Sequence, residues 1–132
     1  MDIAPEEIRL LAQIGLMAAN HADVESATRI FAAIELVRPR HSVVFIGPAI
    51  ASLQAGATPE AIRCLERGLA QVDAADRTEL QAFLALAYRL CGLQGRSDNA
   101  LKSAGNVPLA QGLRREAHLA GPTPTPVSQV AL

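Results

Sequence analysis

Leu11–Ser42 reads LAQIGLMAANHADVESATRIFAAIELVRPRHS, and its punctuation decides the fold. Asp23 stands where a helix N-cap belongs, because a short carboxylate accepts a backbone N–H from the first turn. Beyond it Val24, Ala27, Ile30, Phe31 and Ile34 recur at helical steps until Pro39, which cannot continue a helix. Upstream, Ala18, Met17, Ile14, Leu11 and Leu10 form an apolar stripe reaching back toward Pro5. Proline suits the first helical position, and Glu6 and Glu7 meet the positive end of the helix dipole. The spacing predicts one helix from Pro5 to Asn20 and a second from Asp23 to Pro39. A connection of a few residues forces them antiparallel, as an αα-hairpin.

The same grammar repeats downstream. Val43 to Gln54 reads as a helix closed at Gly56, although Pro48 inside it is expected to kink it or delay its start. Thr58 then caps, Pro59 takes the first position, and Glu60 to Ala70 form the partner helix with Ala61, Ile62, Leu65 and Leu69 on its apolar side. A third hairpin is predicted to begin near Asp76, which has capping-box spacing to Glu79, and to include Leu80 to Leu90. Gly92 and Gly95 break it, Ser97 or Asp98 caps a short helix through Ala104, and Pro108 to Leu119 forms a last amphipathic helix over the open end of the stack. The fold class is all-α: stacked antiparallel helix hairpins, two and a half to three units, with a C-terminal capping helix. Residues 1–120 are the expected helical domain. Residues 121–132 carry GPTPTP, whose prolines remove donors and disfavour helix, so a disordered, extended tail is expected.

Composition agrees. The chain has 132 residues, half of them apolar, which is material for one domain. Its aromatics are one Tyr and three Phe, a balance that favours close-packed helices over a β-sandwich. Lys and Arg number 12 against 13 Asp and Glu, so no field gathers polyanions and no nucleic-acid partner is expected. The run Arg38, Pro39, Arg40, His41 reads as a helix C-terminus. No membrane span is expected, since no window approaches ~18 apolar residues. The N-terminus MDIAPEEIRLL places acids where a signal peptide places bases, which points to a cytoplasmic protein. Cys64 and Cys91 read as small core residues.

His21, His41 and His118 have no Cys or acid at ligand spacing, and no HExxH, CxxC, P-loop or GxSxG occurs. Neither a metal, a cofactor nor a catalytic site is expected. An enzyme would have to rest on Cys91 with a lone His in a polar pocket.

A period of ~34 residues with two helices per unit is the signature of tetratricopeptide arrays, which place Leu-Gly, Ala, Phe and Pro at fixed offsets. Here Ile14 and Gly15 take the Leu-Gly places, Ala27 follows 12 residues after the Gly, Phe31 four later and Pro39 eight later. Ala61 and Leu65 repeat Ala27 and Phe31 after 34 residues. Ala100 is the best anchor of a third unit, 39 residues beyond Ala61, which requires a five-residue lengthening around Val72 to Thr78. Over about residues 5–104 the chain resembles a tetratricopeptide protein. In length, composition and the Leu11–Ser42 run it also resembles the small cytoplasmic chaperones of bacterial type III secretion systems, most nearly the class that binds the needle subunit.

These resemblances imply a protein-binding function. The client would be a secreted, self-assembling needle-like subunit, sequestered by an amphipathic helix, often with a small helical co-chaperone; sharing of an apolar face with a second copy stays open. A general adaptor is the other binding reading. The tetratricopeptide register implies a concave face built by the first helices of successive units. It places Arg9, Ala12, Leu16, Ala19 and Asn20 there from the first unit, and Val43, Ile46, Ile50, Leu53 and Gln54 from the second. Leu16, Val43, Ile46, Ile50 and Leu53 are the candidate protein-binding residues, because an aliphatic strip suits the apolar side of a helix better than a charged peptide end. The alternative is that the Leu109 to Leu119 helix folds back and makes them core.

Overall fold

The computed structural model describes residues 3–120, so the expected tail at 121–132 lies outside the described residues. Among the described residues there are seven helices and no strand: α1 (Pro5–Asn20), α2 (Val24–Val37), α3 (Val43–Gln54), α4 (Thr58–Leu69), α5 (Ala74–Leu90), α6 (Gln94–Ser103) and α7 (Pro108–Ala120). The pairs α1/α2, α3/α4 and α5/α6 pack as hairpins. Between units α3 lies on α1 and α2, and α5 lies chiefly on α4.

The hairpins repeat in their backbone. The turn inside each contains one residue with positive φ: Ala22 (60°), Gly56 (80°) and Gly92 (77°). Those positions lie 34 and then 36 residues apart. Counting from them aligns Gly15 and Ala27 with Ala49 and Ala61, and then with Ala85 and Ser97. All six are buried, as close approach of the paired helices requires. The third unit is therefore lengthened by two residues, and Ser97 rather than Ala100 occupies the small-residue place. Ser97 is fully buried, and its hydroxyl donates to the Ala85 carbonyl at 2.8 Å. It therefore lies inside α6 and caps nothing.

Phe31 ties the first three helices together. Its ring, 1% exposed, lies against both Gly15 and Gly47, where an added Cβ would come within 2.8 and 2.1 Å of it. Phe45 occupies a similar notch at Gly68, with the Arg67 guanidinium over its ring at 5.4 Å. The core extends from these rings through Ile34, Leu65, Leu80 and Leu84 to Leu101 and Leu113.

Several local expectations change. Asp23 does cap α2, accepting from the Ser26 N–H at 3.1 Å. Thr58 is helical, with Ala57 at the cap. α5 starts at Ala74 behind Asp73, ahead of the Asp76 start read from the capping-box spacing. Gly95 sits within α6 and does not break it. α3 continues through Pro48 from Val43 to Gln54. Cys91 is exposed at the end of α5, whereas Cys64 is half-buried, with its thiol donating to the Phe45 carbonyl at 3.3 Å. In α1 the large residues Leu10, Ile14 and Met17 are 57%, 45% and 62% exposed, while Gly15 and Ala19 face the core. No helix among the described residues is long and apolar enough to cross a membrane.

Candidate protein-binding groove

The face in question is built by α1 and α3, which pack side by side because Phe31 fills the notch their glycines share. Leu16 on α1 and Val43, Ile50 and Leu53 on α3 are half-buried, each resting on the core with part of its surface outward. Ile46 is 5% exposed and Ala19 is fully buried, so those two form the wall beneath rather than the surface. Arg9, Asn20 and Gln54 are exposed.

Three of the positions read from the repeat register, Arg9, Ala12 and Val43, meet in a single cleft of about 350 Å³ that Pro5, Ile8, Arg38 and His41 complete. Ile8 was legible in principle, since it lies four residues before Ala12 on the same helical face. Arg38 and His41 come from the turn after α2, and only the return of the chain toward α1 brings them in. Arg38 does what the sequence assigned to that run, a helix C-terminus, whereas His41 serves the start of the next helix. The Arg38 N–H closes α2 on the Ile34 carbonyl at 2.8 Å, and its guanidinium donates to the Val37 carbonyl at 3.0 Å. His41 Nδ1 accepts the Val43 N–H at 3.1 Å and so satisfies a donor at the start of α3. The cleft thus has an apolar floor and a cationic rim.

Among the described residues the final helix packs away from this face. α7 packs on α5, where Arg89 donates to Glu116 and to the Leu113 carbonyl, both at 3.4 Å. Arg114 reaches from α7 to the Leu101 carbonyl and, at 2.6 Å, to the Gly105 carbonyl, which holds α7 against the end of α6. Val43, Ile50 and Leu53 therefore keep their outward surface.

The architecture recurs in a solved structure. A chain of the CopN–Scc3 complex matches with a TM-score of 0.61 at 16% identity, covering 86% of this chain and 68% of that one. No protein-family model and no curated protein matches the sequence. At that identity the likeness carries the fold, a stack of helix hairpins.

The polar groups elsewhere are engaged in structure. A second depression, of about 340 Å³ between α4, α5 and α6, holds Glu66, Tyr88 and Arg96. The Tyr88 hydroxyl donates to Glu66 at 2.8 Å, and burial together with that carboxylate pushes the phenol above its ordinary range. Arg96 lies 6.0 Å from the Tyr88 ring centre. His21 Nδ1 bonds the Met17 carbonyl at 2.7 Å, so His21 and His41 each serve a helix end. Among the described residues no three His, Cys, Asp or Glu side chains are grouped to hold a metal ion.

Proposed function

We propose that this protein is a tetratricopeptide-like cytoplasmic chaperone of a type III secretion system. In this reading the α1–α3 groove shelters the amphipathic helix of a self-assembling, needle-like client until export. The observation that carries the reading is the aliphatic strip Leu16, Val43, Ile50 and Leu53, half-buried and, among the described residues, not covered by α7. The fold shared with a chain of the CopN–Scc3 complex, a protein–protein assembly, supports a protein-binding role. Mechanistically the protein does no chemistry. It covers the apolar surface that drives the client's polymerisation and leaves the client's remaining surface in water.

The magnitudes suffice. Burying about 400 Å² of apolar surface transfers on the order of 10 kcal/mol, from which ordering and association subtract heavily, leaving micromolar or tighter affinity. The exposed row Leu10, Ile14 and Met17 on the other side of α1 suits a small helical co-chaperone or a second copy of the chain. A general adaptor would use the same groove on a client that does not polymerise.

Co-expression with candidate needle-like subunits, followed by size-exclusion chromatography, tests the proposal. The chaperone reading expects a monomeric client co-eluting with this protein. A client that polymerises alone and never co-elutes would sink it.

A further inference from the structure

Where the groove ends, at the start of α1 and α3, its chemistry changes from aliphatic to cationic. Arg9 and Arg38 carry the charge around a floor of Ile8, Ala12 and Val43, and His41, whose Nδ1 accepts the Val43 N–H, completes the ring. Asp73 lies on the far side of Arg38 and His41, in a neighbouring depression, where its ion pair is with Arg40 at 3.8 Å. Arg9 and Arg38 form no salt bridge among the described residues, and both are exposed. Glu6 and Glu7 precede Arg9 on α1 but do not line the cleft. At its other end the strip runs out at Asn20 and Gln54, which are neutral.

We propose that the groove reads the direction of its client: it takes an amphipathic helix whose last turn is acidic, with that turn seated in the Arg9–Arg38 cleft. The bound helix then runs antiparallel to α1 and α3. Two observations choose this occupant. The cationic rim complements carboxylates, and guanidinium forks bind them in pairs of charge-assisted hydrogen bonds. Arginines of this same chain also close helix C-termini, Arg77 on the Leu69 carbonyl, Arg114 on the Leu101 carbonyl and Arg38 on the Val37 carbonyl. The last turn of a helix offers carbonyls without intrahelical partners, so Arg9 and Arg38 meet both kinds of acceptor there. A neutral C-terminal turn offers the rim only its carbonyls, and acids in the first turn reach it only with the helix reversed, which sets N–H donors rather than carbonyls against the arginines.

This inference rests on the proposed role of the groove, and the test separates the two. Three fluorescein-labelled peptides share one Leu/Ile face; the first has Glu in its last turn, the second has the same Glu in its first turn, and the third has Gln throughout. Binding to the full chain is followed by anisotropy at low salt. The first peptide is expected to bind about tenfold more tightly than the other two. That advantage disappears in R9Q/R38Q and shrinks with added salt, and the Gln peptide, which presents only its terminal carbonyls to the arginines, loses less affinity for the variant than the acidic-ended peptide does. Because both arginines are exposed, the variant keeps its helicity, which circular dichroism checks. Equal binding by all three peptides overturns the directional reading and leaves the groove standing. Binding by none overturns both.

Discussion

Gly47 has no room for a side chain. The Phe31 ring stands 2.1 Å from where its Cβ would lie, and that ring is itself locked between α1 and α3. Gly47→Ala is expected to destabilise the protein by about 1–3 kcal/mol through overpacking, measured by urea denaturation, and Phe31→Leu in the same chain should recover part of the loss. The opposite sign is expected at Gly95, which lies inside α6 with nothing near its would-be Cβ. Gly95→Ala should stabilise by about 0.5–1 kcal/mol, because alanine loses less backbone freedom in a helix. Gly15, Ala27 and Phe31 were legible in the sequence because their offsets follow one hairpin. The role of Gly47 was not, since Phe31 uses it across two units and no local pattern encodes that.

Asp23 provides a pH dependence at the same scale. The Ser26 side chain and its backbone N–H hold the Asp23 carboxyl below its ordinary value of 3.8. The unfolded chain therefore takes up this proton first as pH falls. The cap's contribution is present above the unfolded pKa and is lost as pH drops through the folded one. Asp23→Asn keeps an acceptor but cannot titrate there. Thermal midpoints of parent and variant should separate near neutrality and converge below about pH 4; a constant gap down to lower pH would contradict this.

Among the elements, α7 is the one whose attachment is most polar. Arg114 ties it to the end of α6, and Arg89 ties it to α5. Arg114→Ala should loosen α7 without melting the stack. Hydrogen exchange is the measurement: faster exchange in Pro108–Ala120 with α1–α4 unchanged is expected, and a uniform increase across all helices would argue against independent docking. Most helix limits followed from Pro, Gly and Asp, because those residues act through their own backbone or the adjacent turn. Two misreadings share a different cause. In α1 the large residues Leu10, Ile14 and Met17 look like the core stripe, yet close helix approach selects the Gly15–Ala19 face and turns them outward. Ser97 looks like a cap, but the Ala85 carbonyl of a different helix satisfies its hydroxyl and makes it a core residue. Both depend on the neighbouring helix.

At the scale of the molecule, the seven helices among the described residues leave part of an aliphatic strip outward on α1 and α3 and place an arginine-rimmed cleft at one end of it. The strip was visible in the sequence because a repeat register assigns faces. The cleft was only half visible, since Arg38 and His41 enter it from a turn. The distinction between groove and core lies with Ile50, half-buried on α3 and resting on the core. Ile50→Asp is the most direct test, read by circular dichroism and by anisotropy with the acidic-ended amphipathic peptide. The account predicts a variant of unchanged helicity whose binding is weakened at least tenfold, on the order of 1.4 kcal/mol. A variant that unfolds, or one that binds as tightly as the parent, would contradict it.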